Sequence, residues 1–427
     1  MIALDRKKAP AFKQVDNILF LDPVRTSLDN GIEMNYLNGG SQDIVKIDFI
    51  FNAGNLYQNK PLVASSTSQL IKEGTQNYSA FEISEGIDNY GAFFEVENTY
   101  DTAVLTLYTL TKHLQKVLPY IREVILMPSF SETEFDIYKS NAIERFKINL
   151  EKVSFITRKE FMSAIYEGYH PYGSNVDITD YDKLDINDIR KFYTDNYNLG
   201  NCRILASGKI DESVIAILNS SFGKEVISSN PNKEVQVPSN AIESKSLYIT
   251  KENALQSAIG IGRIFPNKLH KDYFGLQILN TVLGGYFGSR LMHNIREDKG
   301  YTYGIGSGIL SLKNSGYFFI STEVGSDVTK DALSEIYKEI ELLRTEEVTK
   351  EELNLVKNYL LGQLLKSCDG PFNMSEMFES VHEFGLDYSF YNDYITTIKE
   401  ITPKTLLDLG VKYFKKSDLT EIVTGKI

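Results

Sequence analysis

Metal-assisted hydrolysis on a helix needs two imidazoles four residues apart and a carboxylate beside them to take the proton of a bound water. The five histidines, His113, His170, His270, His293 and His382, are all more than ten residues apart, so no helix carries such a pair. His382-Glu383 is a fragment of that pattern without a second histidine, and a lone histidine of this kind is usually structural. The chain has no GxSxG elbow, no GxxxxGK[ST] loop and no GxGxxG opening a helix. Two stretches remain chemically rich. In LVASSTSQLIKEGT, residues 62–75, the flanking Leu62, Val63, Leu70 and Ile71 predict a buried helix, yet its middle holds Ser65, Ser66, Thr67, Ser68 and Gln69. Serine and threonine compete with the backbone for hydrogen bonds and are middling helix formers, so helix propensity does not explain them. A serine nucleophile there needs a base, and no histidine lies near in sequence. The second stretch is LGGYFGSRLMHNIREDKGYTYGIGSGI, residues 283–309. A helix from about Ser289 is expected to stop at Lys299-Gly300 and a strand to begin at Tyr301, which sets Arg296 and Tyr303 face to face. The plain alternative is a helix-end cation and a sheet aromatic.

The elements that position these residues follow from the rest of the chain. With 427 residues, two or three domains are expected. Apolar content of 42% and charge of 24% suit a globular protein with ample core. A net charge of −12 argues against a protein that tracks nucleic-acid phosphates or an anionic membrane surface. The two cysteines, Cys202 and Cys368, are far apart, which disfavours a disulfide framework or thiolate zinc site. The opening MIALDRKKAPAFKQVDNILF has scattered charges and no apolar run, unlike a secretory signal. No span approaches the roughly 20 apolar residues of a membrane helix, and a cytoplasmic protein is expected.

The chain also repeats itself. LDINDIRKFYTDNYNLGNCRILASGKI, ending at Ile210, resembles ITPKTLLDLGVKYFKKSDLTEIVTGKI, ending at Ile427. Ser207-Gly208-Lys209 is faintly phosphate-like, but this twin marks it as architecture. Strand candidates Ile44–Phe51 and Ala258–Ile264 each precede a helical pattern, and a strand pair follows in both halves (91–108 and 301–323). Self-similarity at about 215 residues predicts a duplicated domain rather than a solenoid, whose periods run roughly 20–50 residues. Strands and helices come in groups, so an α+β fold of two homologous domains is expected, each a mostly antiparallel sheet packed with helices. The expected bounds are 1–223, a polar linker at 224–246 punctuated by Pro231 and Pro238, and 247–427.

Over nearly its whole length, in both repeats, the sequence resembles the pitrilysin/insulinase type of zinc metalloprotease, the group that includes the mitochondrial processing peptidases. In that family an AHxxEHxxxxGT segment carries two zinc-binding histidines and the catalytic glutamate. Here the frame stands as ASSTSQLIKEGT, with Gly74 and Thr75 in place. The first histidine falls on Ser65, the glutamate on Ser68 and the second histidine on Gln69. The third ligand falls on Glu144 in NAIERF, 75 residues beyond Gln69. HPYG, His170 to Gly173, is also typical of the family's first domain, and the spacing of Arg296 and Tyr303 matches a substrate-contacting pair of active members.

The resemblance implies a clamshell half whose metal site has degenerated: Ser65, Ser68 and Gln69 sit at i, i+3 and i+4 of one helical face, but hydroxyls and an amide are poor zinc ligands. It implies no cofactor on this chain and none of the catalytic residues. Zinc is expected instead on a homologous HxxEH-bearing partner, making this a non-catalytic subunit of a heterodimeric metalloendopeptidase, inactive alone. Arg296 and Tyr303 would bind substrate in the shared chamber. Unfolded peptides are the expected substrates, held by strand addition to a sheet edge near Gly91 to Asn98. The alternative is a scaffold or peptide-binding protein without proteolytic role; a homodimer is compatible with either. Neither nucleic acid nor membrane is an expected partner.

Overall fold

The computed structural model describes residues 18–166, 170–227 and 245–426. Most of the expected linker, 224–246, and most of the opening segment lie outside the described residues. Strands β1 (Val24–Ser27), β2 (Glu33–Asn38), β3 (Ile44–Phe51), β4 (Phe93–Asn98), β5 (Ala103–Leu110) and β6 (Cys202–Gly208) form one sheet in the order β1-β2-β6-β3-β5-β4. Strands β7 (Ser246–Thr250), β8 (Gln256–Ile264), β9 (Ile305–Leu312), β10 (Ser315–Gly325) and β11 (Thr420–Gly425) form the second, β7-β11-β8-β10-β9. The second order reproduces β2-β6-β3-β5-β4 strand for strand. In each sheet the strand that ends a repeat is parallel to one neighbour and antiparallel to the other: β6 against β2 and β3, β11 against β7 and β8. The duplication in the sequence is therefore a duplication of topology, and the fold is α+β.

Alternation along β3, IVKIDFIF, builds the first core. Val45, Ile47, Phe49 and Phe51 share one face and pack with Met34, Leu105, Leu107 and helix residues Val117, Ile121 and Val124. Each such side chain contributes about 1.5–3 kcal/mol through burial. In the second repeat Ile259, Ile261, Phe318 and Ile320 do the same against Leu276, Leu279, Ile336 and Ile340.

The opposite face of each sheet is covered by a helix from the other repeat. The Val153–Tyr166 helix lies on β8 and β11, and the Gly370–His382 helix lies on β6 and β2. Phe161 and Ile165 of the first bury against Ile422 of β11, and Phe378 and Val381 of the second bury against Leu37, Ile50 and Leu205. Close seating of the first helix requires the glycines of GIGR in β8. A Cβ on Gly262 would lie 2.7 Å from the Phe161 ring and 2.0 Å from the Phe318 carbonyl oxygen. Asp101 ties the exchange together: one oxygen accepts from the Tyr172 hydroxyl at 2.5 Å and the other from the Lys313 backbone N–H at 3.0 Å.

The connection after the helix near Ser289 differs from the sequence expectation. Residues Met292–Asp298 wind in a wide π-helical turn, with the Lys299 N–H donating to the Asn294 carbonyl at 3.0 Å. Gly300 then takes φ +66°, the left-handed stop that glycine allows, and the Tyr301 N–H closes back on Ile295 at 3.0 Å. The strand begins at Ile305 rather than Tyr301, so Tyr303 stands on a bend ahead of β9. The glycines and threonine of this run bend the chain before it pairs: the Thr302 hydroxyl donates to the Gly304 and Glu323 carbonyls at 2.9 and 2.7 Å.

Candidate functional site

The hydroxyl-rich segment is a short helix, Val63–Leu70. It starts from Leu62, a non-glycine residue at φ 73°, a conformation that costs about 1–2 kcal/mol and that tends to occur at functional sites. Gln58 supplies the missing cap, its side-chain oxygen accepting the Ala64 N–H at 3.2 Å. Gly74, at φ +116°, and Thr75 close the segment in a turn, where the Thr75 N–H donates to the Tyr78 carbonyl at 2.8 Å.

Each hydroxyl of the cluster is engaged. Ser65 donates to the Leu62 carbonyl at 3.1 Å and Thr67 to the Val63 carbonyl at 2.8 Å. The Ser66 hydroxyl meets the Tyr138 phenol at 2.9 Å, and that of Ser68 meets the Tyr197 phenol at 2.8 Å. Burial pushes both phenols up, with the serine bonds opposing the rise. Buried hydroxyls satisfied in this way contribute about 0.5–1.5 kcal/mol each and leave no activated nucleophile.

Ser65, Ser68 and Gln69 do not share one environment. Ser68 is 0% exposed and turned to the core, Ser65 is half-buried, and Gln69 is open to solvent. Glu144 is exposed on the Glu132–Leu150 helix and pairs with Lys147 at 2.8 Å. Among the described residues, no three His, Cys, Asp or Glu are grouped to hold a metal ion. This donor set does not fit zinc: hydroxyls and an amide are poor ligands, Ser65 and Ser68 are bonded to a carbonyl and a phenol, Gln69 faces solvent, and the carboxylate already has its cation.

Arg296 and Tyr303 do come together, though through the main chain. Arg296 Nε donates to the Tyr303 carbonyl oxygen at 3.0 Å, and the guanidinium lies over the Phe287 ring, 4.5 Å from its centre. The Tyr303 side chain is 96% exposed and that of Phe287 64%. The π-helical turn that carries Arg296 is held by Asn294, whose amide donates to Glu335 and Glu339 at 2.9 and 2.7 Å. One turn earlier Arg290 grips Glu352 through two 2.8 Å bonds. The result is an arginine and two aromatics projecting from a fixed base.

β4, which contains most of the segment expected to add a peptide strand, is the edge of the first sheet. Among the described residues it pairs only with β5, and the Val63–Leu70 helix packs beside it.

An ionic seam under the Gly370–His382 helix escaped the sequence reading. Lys46 sits between Asp48 at 3.3 Å and Glu376 at 3.1 Å, Arg203 pairs with Glu379, and His382 Nε2 lies 2.7 Å from Glu33. The His382 hydrogen bond holds the Glu33 carboxyl down to about 2. His382 also stacks on Phe378 with ring centres 4.7 Å apart, so it is a structural residue of the seam. The available signal was Lys46 and Asp48 inside an otherwise apolar strand.

A family model described as insulinase (peptidase family M16) matches residues 37–172, and one described as the peptidase M16 inactive domain matches residues 183–360. A protein of Rickettsia felis called an uncharacterized zinc protease is 24% identical over 382 residues, 87% of this chain and 88% of its own length. A Helicobacter pylori protein called non-peptidase homolog YmxG is 21% identical over 86% of both chains. Among solved structures, a peptidase M16 inactive domain from Pseudomonas fluorescens superposes with a TM-score of 0.85 at 21% identity, covering 95% of this chain and 99% of the other. A protease from Helicobacter pylori superposes with a TM-score of 0.87 at 18% identity, covering 95% and 100%. Both repeats thus match, while the helix that would carry HxxEH reads SSTSQ, and the chain belongs to the insulinase, or peptidase M16, family as a member lacking the zinc motif.

Proposed function

We propose that this chain is the zinc-free, non-catalytic subunit of a heterodimeric metallopeptidase, holding unfolded peptides for a homologous partner that bears HxxEH. The observation that carries the reading is the projection of Arg296, Tyr303 and Phe287. Two exposed aromatics around a half-buried arginine on a rigid base are the composition of an interface anchor. A guanidinium and a phenol reaching a scissile carbonyl in the partner's site stabilise its developing oxyanion, at about 3 kcal/mol for one well-placed donor. The edge of β4, which has no strand neighbour beyond β5 among the described residues, supports extended peptide binding by strand addition. Free, buried Cys202 and Cys368 suit a reducing, cytoplasmic setting.

The test is reconstitution. Mixing the chain with an HxxEH-bearing homologue is expected to create peptidase activity that neither has alone. Arg296→Ala with Tyr303→Phe should lower turnover roughly tenfold or more while the complex stays assembled, as loss of oxyanion donors does. Unchanged turnover in the double variant removes the pair from the mechanism. The name non-peptidase homolog carried by the Helicobacter pylori relative favours a second reading, a scaffold that binds peptides or partners without hydrolysis. Complex formation without any activity in the mixture would select it.

A further inference from the structure

A cleft of about 720 Å³ opens where the Val153–Tyr166 helix of the first repeat crosses the second sheet, beside the bend that carries Tyr303. Cavities of that size hold small ligands or large side chains. Strand register builds its floor. Tyr317, Phe319 and Ser321 of β10 point to one face, and the residues paired with them share it. Phe319 stands between Gly262 of β8 and Gly308 of β9, and its ring lies over Gly308, where an added Cβ would come within 2.7 Å of it. Ser321 stands between Gly260 and Gly306, so this row across three strands rises no higher than a hydroxymethyl group. A low, small-residue row therefore runs beside an aromatic one. Phe161 and Met162 of the crossing helix line the same space with apolar atoms, and Thr302, Tyr303 and Gly304 of the bend border it.

The first repeat shows that the fold does not require this gap. On the matching face of its sheet, Lys46 and Asp48 of β3 pair at 3.3 Å, Lys46 reaches Glu376 of the covering helix at 3.1 Å, and Thr106 of β5 donates to Asp48 at 2.7 Å. The strands in the same places in the second repeat, β8 and β10, supply Gly260, Gly262 and Ser321 instead. The edge beside the bend is also closed. The Ser307 N–H of β9 donates to the Gly284 carbonyl at 3.0 Å, and the Ser307 carbonyl accepts from the Asn280 amide at 3.4 Å. A peptide passing Tyr303 cannot pair with β9 at Ser307; it lies over the face of the sheet and is held by its side chains.

We infer that the cleft is a side-chain pocket: it takes one large apolar residue, phenylalanine best, from the unfolded peptide held at Arg296 and Tyr303. The inference rests on the peptide-holding reading above and adds what that peptide must contain. Tyr303 and Gly304 belong to the border of the cleft and the Tyr303 carbonyl holds Arg296, so the two binding elements are continuous. An aromatic ring laid in the Ser321 row meets Phe319 and Phe161 edge-on or offset, geometries that add to the gain from burial, and the Met162 sulfur suits an aromatic edge. Alanine gains neither.

Calorimetric titration of the full chain tests this with a pair of octapeptides of alanine and serine, acetylated and amidated so that no terminal charge contributes, one with phenylalanine at a central position and the other with alanine there. The phenylalanine peptide is expected to bind about tenfold or more tighter, the gain from burying an aromatic side chain. Ser321→Phe fills the low row from an exposed position between glycines and should bring the phenylalanine peptide down to the affinity of the alanine one, whereas Ser321→Ala should keep the preference. Equal affinity of the two peptides for the unaltered protein, or a preference that survives Ser321→Phe, overturns the pocket. A reduced, carboxymethylated unfolded protein titrated in parallel separates this from the parent reading: if it binds while the octapeptides bind alike or not at all, the pocket alone falls, and if nothing binds, both fall.

Discussion

Replacing Glu383 by Gln should stabilise the protein in mild alkali and leave it unchanged in mild acid. Glu383 follows the Gly370–His382 helix, which the second repeat lays on the first sheet. Burial lifts its carboxyl to about 7 from an ordinary 4.5; Glu379 and Asp101 add repulsion, and Lys268 and Arg203 oppose it in part. The sign follows from the folded value lying above the unfolded one. Below about 4.5 the group is neutral in both states and costs nothing. Between about 4.5 and about 7 the unfolded chain is ionised while the folded one still holds its proton, so stability falls across that window and levels off once the folded carboxyl ionises. A rise from 4.5 to about 7 corresponds to about 3 kcal/mol, at about 1.4 kcal/mol for each tenfold change. Glutamine is neutral throughout and escapes this penalty. Urea unfolding of both proteins, followed by circular dichroism at about pH 4 and about pH 8.5, should show a gain for Glu383→Gln of about 3 kcal/mol at the higher pH and near zero at the lower. Other titrating groups, Glu33 among them, are common to both proteins and cancel in the difference. A gain of the same size at both pH values, or a loss at about pH 8.5, would refute the placement of this carboxyl in a dry, like-charged seam.

Further expectations concern the hydroxyl-rich helix and the crossed packing. Ser68→Ala and Tyr197→Phe should each cost about 1–3 kcal/mol by leaving a buried hydroxyl unpartnered, while the double variant costs clearly less than the two together; strict additivity in urea unfolding would mean the 2.8 Å bond is not made. Gly262→Ala should destabilise by about 2 kcal/mol or more, because its Cβ has no room between the Phe318 carbonyl and the Phe161 ring. A variant within 0.5 kcal/mol of the parent, roughly the scatter of neutral surface changes, would show that the helix does not need this close approach. Arg296→Ala with Tyr303→Phe is expected to act on turnover in the reconstituted complex and to shift the unfolding midpoint of the chain little, since Tyr303 is exposed and half-buried Arg296 bonds to the solvent-facing bend and to exposed Phe287.

Local pattern carried much of the architecture. β3 and the helix Leu114–Leu126 lie where periodicity put them, because each shows a continuous apolar face to its own repeat. The match between the sequences ending at Ile210 and Ile427 became the match between β6 and β11, each inserted between a parallel and an antiparallel neighbour. What sequence could not convey was non-local. Lys46 and Asp48 alternate with apolar residues as on a strand with one wet face, yet that face is roofed by a helix more than 300 residues away. Their partners Glu376, Glu379 and His382 are ordinary polar positions on a helix until the exchange of helices between repeats is known. At the candidate site, helical spacing placed Ser65, Ser68 and Gln69 on one face, but the width of that face was invisible. It spans from the core at Ser68 to solvent at Gln69, and the tyrosines that engage Ser66 and Ser68 come from helices around 70 and 130 residues downstream. Tyr303 was placed on a strand because aromatic and threonine residues favour strands. The π-helical turn and Gly300 delay pairing by four residues, from Tyr301 to Ile305.

The central claim is that the helix aligned with HxxEH offers only neutral groups, on which rests the proposal that this chain holds peptide and leaves the cutting to another molecule. It is tested most directly by incubating the purified chain alone with an unfolded peptide, with added zinc and with a chelator, and following cleavage by mass spectrometry. The account predicts an intact peptide under every condition. Cleavage that zinc supports and the chelator abolishes would contradict it.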